Sequence, residues 1–314
     1  MTKKRILLTG GSGMVGLNIL EHPAISDFDV LAPRRSELDL SNFEAVTEYL
    51  DKHRPDMVIH AAGKVGGIQA NIREPVRFLV ENLEMGKNIL LASHQTGIKQ
   101  LLNLGSSCMY PRNCNEPLTE NMVLKGELEP TNEGYAIAKI AIARLCDYLS
   151  YEDPTRKYNT IIPCNLFGRY DKFDPKHSHL LPSIIHKVHQ AKVNKEAEVE
   201  IEIWGDGTAR REFMYAGDLA DAIVSAIKNF ETLPSYMNIG LGRDYTINEY
   251  YEVIANVMGY QGKFTYNLTK PVGMARKLVS VDRQLAWGWQ SKTSLAAGIQ
   301  ATYKFYLEEY LHDF

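Results

Sequence analysis

The chain of 314 residues lacks several features, and each absence narrows what it can be. It has no basic excess: 35 lysines and arginines stand against 38 aspartates and glutamates, a net charge of -3. A protein that tracks nucleic-acid or membrane phosphates carries the opposite balance. Cysteine is scarce, and Cys108, Cys114, Cys146 and Cys164 form no C-x-x-C pair and keep no metal-ligand spacing to a histidine. That argues against a zinc site and a disulfide framework alike. Long apolar runs are missing too. The opening MTKKRILLTGG offers only about five apolar residues before glycine interrupts, too few for a signal-peptide core or a bilayer span. Internal repeats, low-complexity tracts and long Pro/Ser linkers are absent. The expectation is a soluble, reducing, cytoplasmic enzyme with no nucleic-acid or membrane partner.

What is present reads as a folded α/β chain. Hydrophobic residues make up 45% and charged residues 23%, the balance of a globular protein. The length predicts two lobes, or one large domain with a smaller addition. RILLTG, DVLAP, MVIHAAG, KQLLNLGSS and YNTIIPCNLFG read as strands apolar on both faces, the mark of a buried parallel sheet. NFEAVTEYLDKH and EPVRFLVENLEMGKNILLASHQTG carry apolar residues at helical spacing, the second stopped by Gly97. Strand and helix in alternation predict a doubly wound parallel Rossmann sheet over 1–165 with about 210–230. A smaller, discontinuous α/β substrate domain is expected from about 166–209 and 231–314, including a helix from Leu180 to about Val193 and a strand over 199–204.

The first strand runs into TGGSGMVG, which sets Gly10, Gly13 and Gly16 three residues apart, with Ser12, Met14 and Val15 among them. Glycine there permits a tight turn, close approach of a pyrophosphate, and packing of the next helix on the sheet. Arg34 and Arg35, at the second strand's tip, offer guanidinium forks suited to a 2′-phosphate, so NADPH is expected rather than NADH. As two solvated surface arginines they would carry no such meaning. Asp39 and Leu40 are placed to edge the adenine, and Ala61 and Ala62 in HAAG supply small residues at a third strand tip.

The main chemical signal is Tyr135-Ala-Ile-Ala-Lys139, whose spacing sets phenol and ammonium on one helical face. A cation there is expected to lower the phenol's pKa, so that Tyr135 trades a proton with a carbonyl oxygen near neutral pH. Ser106 ends the fourth strand. Two residues later comes Cys108, which on its own reads equally as a small buried apolar side chain. His179, likewise, reads alone as a loop histidine.

Taken together these elements resemble the extended short-chain dehydrogenase/reductase family over the whole chain. Longer strings sharpen the likeness: KVGGIQAN, LGSSCMYP, EPTNEGYAIAKIA, NLFGRYDKFDPKHSHLLP, WGDGTARREF and KPVGMARKL are similar to those of its epimerase-reductases that act on GDP-4-keto-6-deoxymannose. The resemblance implies NADPH as cofactor and a GDP-linked 4-keto-6-deoxy sugar as substrate, epimerised at C3 and C5 and then reduced at C4. It implies a reductive triad of Ser106, Tyr135 and Lys139, with Lys139 also steadying the cofactor ribose. For epimerisation it implies two groups on opposite sides of the sugar, Cys108 as base and His179 as the acid that returns a proton. A thiolate suits a carbon acid whose enolate oxygen is held by hydroxyl donors. Pro163, Asn165, Leu166 and His179 are implied beside the cofactor. Asn165, Lys187, Trp204, Arg211 and Arg276 are implied on the nucleotide sugar, the cations because Arg and Lys make charge-assisted bonds to phosphate.

Dehydratases of the same family are expected to carry an acidic pair just after the triad Ser or Thr, and here Ser107 and Cys108 stand there. Enzymes making GDP-colitose, or acting on a GDP-heptose, would share nearly every string quoted. Helices over about 75–95 and 135–151 are apolar on more than one face, and in this family such a pair implies a homodimer through a four-helix bundle.

Overall fold

Apolar runs flanked by glycine become short, buried strands in the computed structural model, which describes residues 3–174, 178–193, 200–270 and 272–310, the last two by their backbone only. The first half alternates β1 (Arg5–Thr9), α1 (Met14–Leu20), β2 (Asp29–Leu31), α2 (Phe43–His53) and β3 (Met57–His60). There follow α3 (Ile68–Arg73), α4 (Pro75–Gln95), β4 (Gln100–Leu104), α5 (Glu133–Glu152) and β5 (Lys157–Pro163). Local chemistry sets the helix ends. Asn42 accepts from the Ala45 N–H at 3.0 Å to start α2, and α4 opens on Pro75. Gly97, at φ +85°, ends the α4 segment in the left-handed region that glycine enters without strain.

The second half holds β6 (Asn165–Phe167), α6 (Leu180–Val193), β7 (Ile201–Trp204), β8 (Arg210–Arg211), β9 (Phe213–Tyr215) and α7 (Ala216–Lys228). It closes with β10 (Tyr236–Ile239), β11 (Tyr245–Thr246), α8 (Ile247–Met258), β12 (Phe264–Asn267), β13 (Arg276–Lys277), α9 (Asp282–Trp287) and α10 (Leu295–Phe305). The strand expected over 199–204 is seen from Ile201, residue 199 lying outside the described residues.

Six strands make the central sheet, in the order β10-β5-β4-β3-β1-β2, every pair parallel. Alternate residues feed opposite faces, as the pleat requires. Ile6 and Leu8 of β1 join one core with Leu102 and Ile161, whereas Leu7 joins another with Val58 and Leu101. The two helices predicted to pair lie together: a Cβ on Gly86 of α4 would come within 2.5 Å of Ile142 of α5, so only glycine admits that approach. No helix of the described residues is long and apolar enough to cross a membrane.

One boundary differs from expectation. Tyr236–Ile239 is an edge strand of the central sheet, paired with Thr160–Pro163, rather than part of a smaller lobe over 231–314. All four of its residues are buried, which an edge strand achieves only because α9 and the chain around it cover its open side. The smaller lobe is built from three short sheets, β8 with β11 and β13, β7 with β12, and β6 with β9, around Phe173, Leu181, Ile185, Tyr250 and Tyr306.

Candidate active site

The carboxyl ends of the central strands face the smaller lobe across a cleft of about 1190 Å³. Its size exceeds the range usual for one drug-sized ligand, which fits a site built for two. In a doubly wound sheet this is where ligands bind.

The glycine turn forms one end. Gly10, at φ +73°, sits so close to the third strand's exit that a Cβ would meet the Ala62 nitrogen at 2.7 Å. A Cβ on Gly16 would meet the Gly10 carbonyl oxygen at 2.2 Å, so α1 packs against the turn only because residue 16 is glycine. Such a bare backbone cradle is what a dinucleotide pyrophosphate needs, so the residues present fit the group. Ser12, Gly13, Met14 and Val15 line the same end, and Arg35, Asp39, Leu40, Ala61 and Ala62 continue it. Arg34 does not line the cleft; its N–H donates to Glu37 at 2.7 Å in the turn that presents Arg35. The pair of arginines thus reduces to one.

Ser106 follows the end of β4, and its hydroxyl accepts from the Cys108 N–H at 3.3 Å, folding residues 107–109 into a single helical turn. That turn aims Cys108 into the cleft. The Ser106 hydroxyl lies near enough to the Tyr135 phenol to favour its ionised form, against a larger effect of burial. Lys139, one turn further along α5, lies with its Nζ 5.9 Å from the Tyr135 ring centre and donates to the Leu104 carbonyl at 2.8 Å. The predicted triad is therefore assembled by β4 and α5. The electrostatics correct one expectation. Burial raises the Tyr135 phenol rather than Lys139 lowering it, with Cys108 adding in the same direction. Burial also pushes the Lys139 ammonium down to about 8. Both shifts come mainly from removing charge from water.

His179 lies just ahead of α6 and lines the same cleft. Burial, and the nearby cations Lys172 and Lys277, lower its pKa, which opposes the expected imidazolium. Pro163, Asn165 and Leu166 line the cleft where β5 passes into β6, and Asn165 donates to the Glu212 carbonyl at 3.0 Å.

On the smaller lobe Lys187, Trp204 and Arg211 line the cleft. Lys270 stands over the Trp204 ring at 5.5 Å, and Arg211 donates to the Val272 carbonyl at 2.8 Å, tying down the segment that closes this end. Arg276 is not part of the lining. It pairs with Asp244 at 2.6 Å and reaches the Asn115 carbonyl, while its neighbour Lys277 faces the cleft. Neighbours on a strand point to opposite sides, so only one of the two can enter, and nothing in KPVGMARKL tells which.

Sequence reasoning offers Lys277 beside Arg276 as a phosphate-binding cation, which its place in the cleft supports, but misses its nearness to the thiol and misses Asn132 altogether. Lys277 Nζ lies 3.6 Å from the Cys108 sulfur, and Asn132 Nδ2 donates to that sulfur at 3.2 Å. For Asn132 a signal existed: it precedes Tyr135 by three residues and Lys139 by seven, one helical face.

The chain's residues 6–240 match the model of the NAD dependent epimerase/dehydratase family. It is 54% identical over 309 residues to a GDP-L-colitose synthase of Yersinia pseudotuberculosis, covering 98% of this chain and 100% of that one. It is 46% identical over 304 residues to a GDP-L-fucose synthase of Azorhizobium caulinodans, covering 97% and 96%. Among solved structures, a GDP-mannoheptose C4 reductase from Campylobacter jejuni with NADP bound superposes with a TM-score of 0.88 at 29% identity, covering 98% of this chain and 99% of that one.

Proposed function

The chain belongs to the NAD dependent epimerase/dehydratase family, and on that premise we propose that it is an NADPH-dependent epimerase-reductase of a GDP-linked 4-keto-6-deoxy sugar. The observation that carries the reading is the convergence of Ser106, Cys108, Tyr135, Lys139 and His179 on one cleft roomy enough for a dinucleotide and a nucleotide sugar. A reductase alone needs the first, third and fourth of these. A thiol and an imidazole in the same cleft are what proton exchange on carbon adds.

When bound, NADPH supplies the hydride that reduces C4. Gly10, Gly13 and Gly16 would cradle its pyrophosphate, Arg35 its 2′-phosphate and Lys139 its ribose. Cys108 removes the proton from the carbon beside the C4 carbonyl, and the hydroxyls of Ser106 and Tyr135 hold the enolate oxygen that results. His179 returns a proton from the other side. After epimerisation Tyr135, kept neutral by burial, protonates the C4 oxygen as the hydride arrives. Lys187 and Arg211 take the diphosphate, and Trp204 the base.

The fuller reaction is conversion of GDP-4-keto-6-deoxy-D-mannose to GDP-L-fucose. The 54% identity to a GDP-L-colitose synthase favours a second reading, in which the same chemistry acts on a related GDP-4-keto sugar such as a 3,6-dideoxy one. The kcat/KM for the 3-hydroxy and 3-deoxy substrates, compared directly, separates them. Turnover with NADPH in deuterated water tests the shared chemistry: deuterium at the epimerised carbons together with cofactor oxidation supports it, and oxidation without exchange leaves a reductase only. Exposed Val76 and Val80 on α4, with Ile137, Tyr148 and Tyr151 on α5, support a homodimer through a four-helix bundle, which sedimentation tests.

A further inference from the structure

Asn132 occupies the N-cap position of α5, where an asparagine ordinarily accepts from an N–H of the first turn through its side-chain oxygen. Here it makes no such bond. Its Oδ1 is buried without a hydrogen-bond partner, and its Nδ2 is turned to the Cys108 sulfur at 3.2 Å. Giving up a cap weakens the helix start, and burying an unpaired oxygen adds to the cost. A side chain held against both preferences is held by something else. Lys277 Nζ, from β13 of the smaller lobe, lies 3.6 Å from the same sulfur. Two N–H donors on independent elements therefore converge on one thiol, and neither carries an acceptor lone pair toward it. Sulfur is a weak acceptor as a thiol and a good one as a thiolate.

We propose that Asn132 and Lys277 are positioning residues for Cys108, donating to its sulfur and aiming it at the substrate carbon. They act through the sulfur. Because Lys277 is delivered by the smaller lobe while Asn132 and Cys108 belong to the sheet domain, the base is complete only when both sides of the cleft are in place. The consequence for epimerisation rests on the function proposed above, but the arrangement around the sulfur does not.

Asn132→Asp keeps the shape of the side chain and replaces the N–H donor beside the sulfur with an anionic acceptor. It should slow alkylation of Cys108 by iodoacetamide, followed at fixed neutral pH by the mass of the Cys108 peptide, on the order of tenfold or more, and slow it more than Asn132→Ala does. Lys277→Met should slow it also, and Lys277→Arg should restore most of the rate. Deuterium wash-in at the sugar carbons should fall in the same order, with NADPH affinity unchanged. Wild-type alkylation rates in Asn132→Asp and Lys277→Met would overturn the proposal, as would equal rates in Lys277→Met and Lys277→Arg. Slowed alkylation in the variants, together with a wild-type enzyme that never exchanges deuterium, would uphold the arrangement and overturn the epimerase reading instead.

Discussion

Lys139 donates its Nζ proton to the Leu104 carbonyl oxygen at 2.8 Å, tying α5 to the last residue of β4, two residues before Ser106. The bond fixes the triad's geometry before any ligand binds, and it holds a buried ammonium whose pKa burial pushes down to about 8. The cation is present below that value and lost above it. Since kcat/KM reports groups of the free enzyme, its profile for NADPH oxidation should fall on the alkaline side with a midpoint near pH 8. Lys139→Arg, which keeps its charge throughout that range, should move that limb to higher pH even where the rate at neutral pH is lower. An unchanged limb in the variant would show that another group sets it.

Arg34 and Arg35 should behave differently although they are neighbours. Only Arg35 lines the cleft, and Arg34 serves the turn before it. A bond to a charged group contributes about 1.5–3 kcal/mol, so Arg35→Ala should weaken NADPH binding on the order of tenfold to a hundredfold while leaving NADH binding nearly unchanged. Arg34→Ala should do much less. Titration calorimetry with both cofactors checks it, and equal losses in the two variants would contradict the placement.

The glycine turn, the triad and the alternation of strand and helix were legible in the sequence because each depends on local spacing. Gly10, Gly13 and Gly16 mark a turn, Tyr135 and Lys139 one helical face, and buried parallel strands announce themselves as unbroken apolar runs. What failed to show depends on contacts between distant segments. The choice between Arg276 and Lys277 is a matter of strand parity, set when β13 pairs with β8, more than sixty residues away. β10 reads as one more apolar stretch until β5 claims it. The direction of the Tyr135 shift was lost for a related reason: spacing shows which charge is near, whereas burial, the larger effect here, is a property of the whole fold.

Gly16→Ala should break the cofactor end of the cleft. The added Cβ would stand 2.2 Å from the Gly10 carbonyl oxygen and 2.6 Å from the Gly11 Cα, backbone atoms that cannot swing aside as a side chain would. Overpacking of this kind costs about 1–3 kcal/mol or more, and any relief displaces the turn that receives the pyrophosphate. The expected result is a lower thermal midpoint together with weaker NADPH binding. Normal affinity in a folded variant would mean that the turn is not the cradle.

Glu212 offers a separate test of how the smaller lobe is fastened. It is buried between Arg211 and Phe213, and its carboxylate accepts from the N–H groups of Leu241 at 2.6 Å, Gly242 at 2.9 Å and Val279 at 2.9 Å. One side chain thus joins the exit of β10 to the segment just after Lys277. Burial outweighs those three donors and pushes the carboxyl up from its ordinary 4.5 to about 7. A group whose pKa is raised in the folded state adds stability that is fully present below the unfolded value and is lost as pH rises through the folded one. For this shift the contribution amounts to about 3 kcal/mol, disappearing between about pH 4.5 and 7. Glu212→Gln cannot titrate, and its amide turns an N–H toward one of the three backbone donors, a mismatch of about 1–3 kcal/mol at every pH. Urea unfolding of both proteins across that range should therefore give a stability difference that narrows by about 3 kcal/mol as pH rises from 4.5 to above 7. A difference that stays constant with pH would show that the carboxylate keeps its charge in the fold, with its three donors outweighing burial.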